Sequence, residues 1–108
     1  VVTPVDIAWA AGIFEGEGTC PRRSKSNRTT TASVTQKDLW LLHRMQSLFG
    51  GTVRQYPQKE GTYGRWSCSG ERARGFVMTI YTLMSPRRRA QIRAALFTDY
   101  PVAWQGAR

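Results

Sequence analysis

Cysteine, histidine and acid are all scarce in this chain of 108 residues, and each scarcity closes off a class of function. Two cysteines, Cys20 and Cys68, allow one disulfide at most. A secreted disulfide framework or a cysteine-rich metal centre is therefore excluded, and reduced thiols in an intracellular protein are expected. The single histidine, His43, falls between apolar positions of a helical pattern and is assigned no chemistry. No apolar run is long enough to span a bilayer, and no basic segment precedes an apolar core at the N-terminus, so membrane and signal-peptide readings are set aside. Internal repeats and low-complexity linkers are lacking too, which leaves one domain over residues 3–98 followed by an irregular tail at 99–108.

What the chain has in excess is positive charge. Sixteen lysines and arginines stand against seven acids, a net charge of +9 with an isoelectric point near 10.6. Such a surface concentrates phosphate polyanions, which indicates a nucleic-acid partner but no reaction. A hydrophobic content of 41% is enough for one modest core.

Two of the few acids lie together in Trp9 to Gly18, WAAGIFEGEG. On a 3.6-residue period Ala8, Gly12 and Gly16 form a side-chain-poor stripe along which another helix could approach closely. A helix is expected from about Pro4 to Glu15, with Thr3 as its cap and Asp6 in its first turn. Glu15 and Glu17 then stand at its C-terminal end, where carboxylates oppose the macrodipole by up to ~1 kcal/mol each, so a cation or partner is needed to offset them. The glycines beside them would let the last turn unwind and present a carboxylate.

The remaining elements follow from periodicity. The segment from Thr19 to Thr35 reads as a hairpin turning near Lys25 to Arg28, with Thr30, Ala32 and Val34 facing a core and the hydroxyl set facing outward. Leu39, Leu42, Met45 and Phe49 recur at helical spacing before the Gly50-Gly51 stop. Strands over Thr52 to Tyr56 and Tyr63 to Ser69 form a second hairpin, and two helices follow, over Glu71 to Tyr81 and Pro86 to Phe97. Trp9, Trp40 and Trp66 are expected in the core.

WAAGIFEGEG resembles the LAGLIDADG motif of homing endonucleases, with Ala10, Ala11, Gly12, Glu15, Gly16, Glu17 and Gly18 at matching positions and glutamates in place of the two aspartates. SVTQKD, at Ser33 to Asp38, resembles the family's end-of-strand segment, and LMSPRRRAQI resembles the start of its final helix. The resemblance implies an α+β fold of αββαββα(α) order, a four-stranded antiparallel DNA-reading sheet backed by helices. It also implies a site-specific double-strand DNA endonuclease of the single-motif, homodimeric, intron-homing type, with no small-molecule substrate.

Under that resemblance Glu17, with Gly16 beside it, is the metal site, and Gln36 organises active-site water. Mg2+ is the implied cofactor, with Mn2+ as a substitute and Ca2+ binding without supporting cleavage. The family's basic active-site residue is usually a lysine near the start of the final helix; here only arginines follow Pro86, so Arg87 or Arg88 is expected to replace it. One chain supplies one acid at the metal position, so two copies would pair through Ala8, Gly12 and Gly16 and read a near-palindromic target. Base or phosphate contacts are expected from Arg23, Lys25, Thr29, Thr31, Ser33, Arg54, Tyr56, Arg65 and Ser67 on the outer sheet face. A cleavage-deficient DNA-binding regulator, an intron-RNA maturase and a generic basic binding module remain open alternatives.

Overall fold

A computed structural model describes residues 1–24 and 28–97. Lys25 and the expected tail lie outside the described residues. The first helix, α1 (Pro4–Glu17), starts with a reciprocal cap: the Asp6 amide donates to Thr3 Oγ1 at 3.1 Å, and the Thr3 amide donates to Asp6 Oδ2 at 3.0 Å. That backbone bond, the Thr3 hydroxyl and Arg44 together hold the Asp6 carboxyl below the usual carboxylate range. At its other end α1 does not unwind after Glu15 but stays helical through Glu17. Gly18 closes it by donating to the Phe14 carbonyl and runs straight into the sheet; a Cβ there would collide with the Phe14 ring, so the tight junction needs glycine.

The strands β1 (Gly18–Thr19), β2 (Thr31–Gln36), β3 (Thr52–Pro57) and β4 (Thr62–Ser69) form one antiparallel sheet of order β1-β2-β4-β3. The expected first arm, Thr19 to Lys25, shrinks to a two-residue strand. Pro21 has no amide to continue the ladder, and just beyond it Arg23 turns inward, where its Nη2 donates to the Leu96 carbonyl at 3.0 Å. Arg23 is thus a tie between segments instead of a reader on a strand.

Helices α2 (Leu39–Phe49) and α3 (Gly70–Ile80) join α1 against the sheet; a 3-10 turn at Tyr81–Leu83 begins at the residue expected to end α3, and α4 (Pro86–Phe97) adds Ile92, Ala95 and Leu96 to the core. Ala32, Val34, Trp66 and Cys68 alternate inward from the two central strands and are buried with Phe14, Leu42, Phe76 and Ile92. Phe76 is the hub, its ring meeting Phe14, Phe49 and Trp66 edge-on at 5.6, 4.9 and 5.1 Å. Trp66 satisfies its indole N–H on the Gly50 carbonyl at 2.7 Å, just where Gly50 ends α2 at a φ of +75°.

Trp40 corrects the core assignment: it is 63% exposed. Leu39, Leu42, Met45 and Phe49 occupy the inward stripe of α2, and Trp40 lies about 100° around the helix from Leu39. There it meets Trp9 edge-on, and the Arg44 guanidinium lies 4.7 Å from the Trp9 ring. No helix among the described residues is long and apolar enough to cross a membrane.

Candidate nucleic-acid interface and adjoining cleft

With the helices on one side, the opposite face of the sheet is left to polar side chains. The register aligns them in cross-strand rows: Thr19, Ser33, Ser67 and Thr52 in one, Thr35, Arg65 and Arg54 in the next, then Tyr63 with Tyr56. Ser67 and Thr52 hydroxyls lie 3.4 Å apart, and the Tyr56 and Tyr63 rings stack at 5.2 Å. Arg65 and Arg54 face each other directly. Such a like-charge pair destabilises the free sheet by roughly 0.2–1 kcal/mol, which an incoming polyanion would reverse. Thr31 begins β2 on this face, whereas Thr29 precedes the strand and sits in a bend.

At the end of that face opens a cleft of about 360 Å³ lined by Glu17, Thr35, Gln36, Lys37, Gln58 and Tyr63. The end of α1 delivers Glu17, the end of β2 delivers Thr35, Gln36 and Lys37, and the β3–β4 hairpin delivers Gln58 and Tyr63. Gln36 is oriented by its own chain: its Oε1 accepts the Lys37 amide at 2.9 Å, and its Nε2 makes no hydrogen bond among the described residues. Glu17 is exposed and has no hydrogen bond or ion pair among the described residues. The Gly16 carbonyl is one of the last four of the helix, which have no partner within it.

Glu15 differs from Glu17 in every respect. Its Oε1 accepts the Ser85 amide and its Oε2 the Ser85 hydroxyl, both at 2.8 Å, placing the carboxylate at the start of α4. The Ser85 backbone N–H is the main cause of a Glu15 carboxyl held below its ordinary value, followed by the Ser85 hydroxyl and by Arg88 and Arg87. The N-terminal dipole of α4 thus offsets the acid that α1 alone would disfavour.

That arrangement also revises the basic residues. Arg88 is 7% exposed, its Nε donating to the Glu15 carbonyl at 3.1 Å and its Nη1 to Gln91 at 2.8 Å. Arg87 approaches the Glu15 carboxylate at 3.8 Å. Neither lines the cleft with Glu17; among the described residues the cation that does is Lys37. Lys37, Gln58, Thr35 and Tyr63 were all missed as site residues. For Lys37 the signal was available in SVTQKD, one position after Gln36, whereas Gln58 reaches the cleft only through the sheet order.

The architecture can be compared with solved structures. A homing endonuclease, I-CvuI, crystallised with its target in calcium, superposes with a TM-score of 0.65 at 20% identity, over 82% of this chain and 62% of that one. The archaeal intron-encoded homing endonuclease I-Vdi141I in complex with DNA gives 0.65 at 17% identity, over 83% of this chain and 64% of that one. The group I intron-encoded I-CeuI with DNA gives 0.65 at 16%, over 85% and 52%. The fold is that of the LAGLIDADG homing endonucleases. This chain spans less than two thirds of the length of each of these structures. No family model matches the sequence, and no curated protein does.

In this LAGLIDADG fold the outward side of α1 is uncovered. Ala8, Gly12 and Gly16 are exposed, while Ala10, Ala11 and Phe14 point into the core. A Cβ built on Gly12 or Gly16 meets nothing within 4 Å. Nothing inside the described chain therefore requires small residues at those two positions. Exposed Val5 extends the same strip toward the N-terminus.

Proposed function

We propose that this chain is one subunit of a homodimeric, metal-dependent endonuclease that cuts double-stranded DNA inside the cell at a long, near-palindromic target, as an intron-homing enzyme does. The observation that carries the reading is the contrast between the two acids of α1. Glu15 is held by Ser85, whereas Glu17 has no hydrogen bond or ion pair among the described residues and lies in a cleft continuous with the basic, hydroxyl-lined sheet face. The DNA complexes of I-CvuI, I-Vdi141I and I-CeuI support the same use of the face.

Each group has a role in this reading. Arg54, Arg65, Tyr56, Ser33, Ser67 and Thr31 face the major groove. Lys37 neutralises the scissile phosphate in place of Arg88, which is buried and bonded to Glu15, and of Arg87, which is exposed but does not line the cleft. Gln36 holds the attacking water through its free amide, with Gln58 and Tyr63 bounding the cleft.

The donor set suits a hard divalent cation. The Glu17 carboxylate and Gly16 carbonyl are oxygen ligands, and Mg2+ commonly takes one or two carboxylates completed by substrate phosphate oxygens. When bound, such an ion lowers the pKa of water and stabilises charge on the attacking and leaving oxygens. A second copy, docked along Ala8, Gly12 and Gly16, would bring the second Glu17.

The test is selection of targets from a randomised duplex library, followed by cleavage with Mg2+, Mn2+ or Ca2+. Wild type should cut the selected target with Mg2+ or Mn2+ and bind it uncut with Ca2+, while Glu17→Gln should bind equally well and not cut. A wild-type protein that binds its selected target yet never cuts it with Mg2+ or Mn2+ would overturn the enzyme reading and leave a DNA-binding regulator.

A further inference from the structure

We infer that Arg65 is a fixed guanine reader, held in its reading position by Thr35 and the Tyr56–Tyr63 stack, and that it specifies a guanine in the inner part of each half-site. The inference rests on the proposal that the sheet face docks in a DNA major groove, and it adds which base is read, where, and by what device.

An exposed arginine ordinarily samples many rotamers, which suits a phosphate contact but not base recognition. Arg65 is constrained from two sides. Its Nε donates to Thr35 Oγ1 at 3.2 Å, and its guanidinium carbon lies 5.8 Å from the Tyr56 ring centroid. Tyr56 is in turn stacked on Tyr63 with 24° between the ring planes. With Nε engaged, Nη1 and Nη2 make no other hydrogen bond among the described residues, and their parallel N–H groups match O6 and N7 of guanine. No other base offers two acceptors side by side on its major-groove edge.

Arg54, directly across from Arg65, has no such support: it makes no hydrogen bond among the described residues. The two arginines of the row thus divide into a braced fork and an unbraced charge. Arg54 is suited to a phosphate, a contact that positions the duplex without reading it.

Placement follows from shared residues. Thr35 and Tyr63, which brace Arg65 directly and through Tyr56, also line the cleft with Glu17. Arg65 lies two residues along β4 from Tyr63, about 7 Å at the rise of a strand. The guanine is therefore close to the cleaved phosphate, and in a two-fold dimer it recurs on the opposite strand at the symmetry-related position.

The test compares base preference at every target position for wild type, Arg65→Lys, Arg65→Gln, Thr35→Val, Thr35→Ser and Arg54→Gln, by binding to the wild-type selected target and its single-base-pair variants in Ca2+. Wild type should prefer guanine at one symmetric pair of inner positions by roughly 5- to 100-fold. Arg65→Lys, which keeps the charge but not the fork, should abolish that preference and leave other positions unchanged. Thr35→Val should weaken it and Thr35→Ser, which restores the acceptor, should recover it. Arg54→Gln should lower affinity evenly across sequences and reduce the salt slope by about 1. If Arg65→Lys retains the full base profile, or if Arg65→Gln lowers affinity evenly, Arg65 is a phosphate contact and the inference is overturned while the endonuclease reading stands. Failure of wild type to select any target would overturn both.

Discussion

The Glu15 carboxylate straddles Ser85, taking its amide and its hydroxyl at 2.8 Å each, and so locks the C-terminal end of α1 to the start of α4. Arg88 reinforces the joint by donating to the Glu15 carbonyl. One acid of the pair is structural, whereas Glu17, two residues on, makes no hydrogen bond or ion pair among the described residues.

Stability should fall in acid partly through that joint. The Glu15 carboxyl is held below its ordinary 4.5, so its contribution is complete above that pH and is lost as pH falls through the lowered folded value. Glu15→Gln should lower the melting temperature at pH 7, and the gap to wild type should narrow at pH 3. Thermal melts at the two pH values check this; a gap that widens in acid would contradict it.

Lys37 and the final-helix arginines should separate by phenotype. Lys37→Met should leave the fold intact and slow cleavage of bound target on the order of 10²-fold. Arg87→Gln should change single-turnover cleavage little. Arg88→Met should instead cost about 2–3 kcal/mol of stability, because a buried guanidinium bonded to Glu15 and Gln91 is lost. Single-turnover rates measured beside denaturant melts distinguish the two effects.

Association should depend on α1 and the monomer fold should not. Gly12→Leu places its side chain in open space, and leucine is a better helix former by up to ~1 kcal/mol. The expected variant melts no lower than wild type under conditions where both are monomeric, yet sediments as a monomer at concentrations where wild type is dimeric. A Gly12→Leu protein that still dimerises would move the interface elsewhere.

Both thiols should be inert in the folded protein. Burial pushes Cys20 and Cys68 up to about 11, which leaves almost no thiolate at neutral pH. Labelling with a thiol reagent at pH 8 should be negligible until denaturant is added, when two equivalents react. Rapid labelling of the native state would show that the sheet's inner face opens.

Much of this molecule was legible before folding was considered. Thr3, Pro4 and Asp6 start α1, Gly50 stops α2, and Pro86 begins α4, because caps and breakers act on their immediate neighbours. Alternation of Ala32 and Val34 with Ser33 and Thr35 assigned the two faces of β2 for the same local reason. The acids at the end of α1 stood out because a helix dipole is also a local property.

What required tertiary structure was every choice between chemically equivalent candidates. Family resemblance points to Glu17 over Glu15 as the metal ligand, but what holds Glu15 is visible only once α4 docks and Ser85 takes its carboxylate. Arg23 and Arg65 look alike as readers, until Pro21 ends β1 and Leu96 captures Arg23. Lys37 lines the cleft while Arg88 is buried against Glu15, and Trp40 leaves the core because the inward stripe of α2 is already filled. Periodicity and composition determine which residues are available to a surface; the approach of segments distant in sequence decides which of them remain unpartnered, and those are the ones left for chemistry.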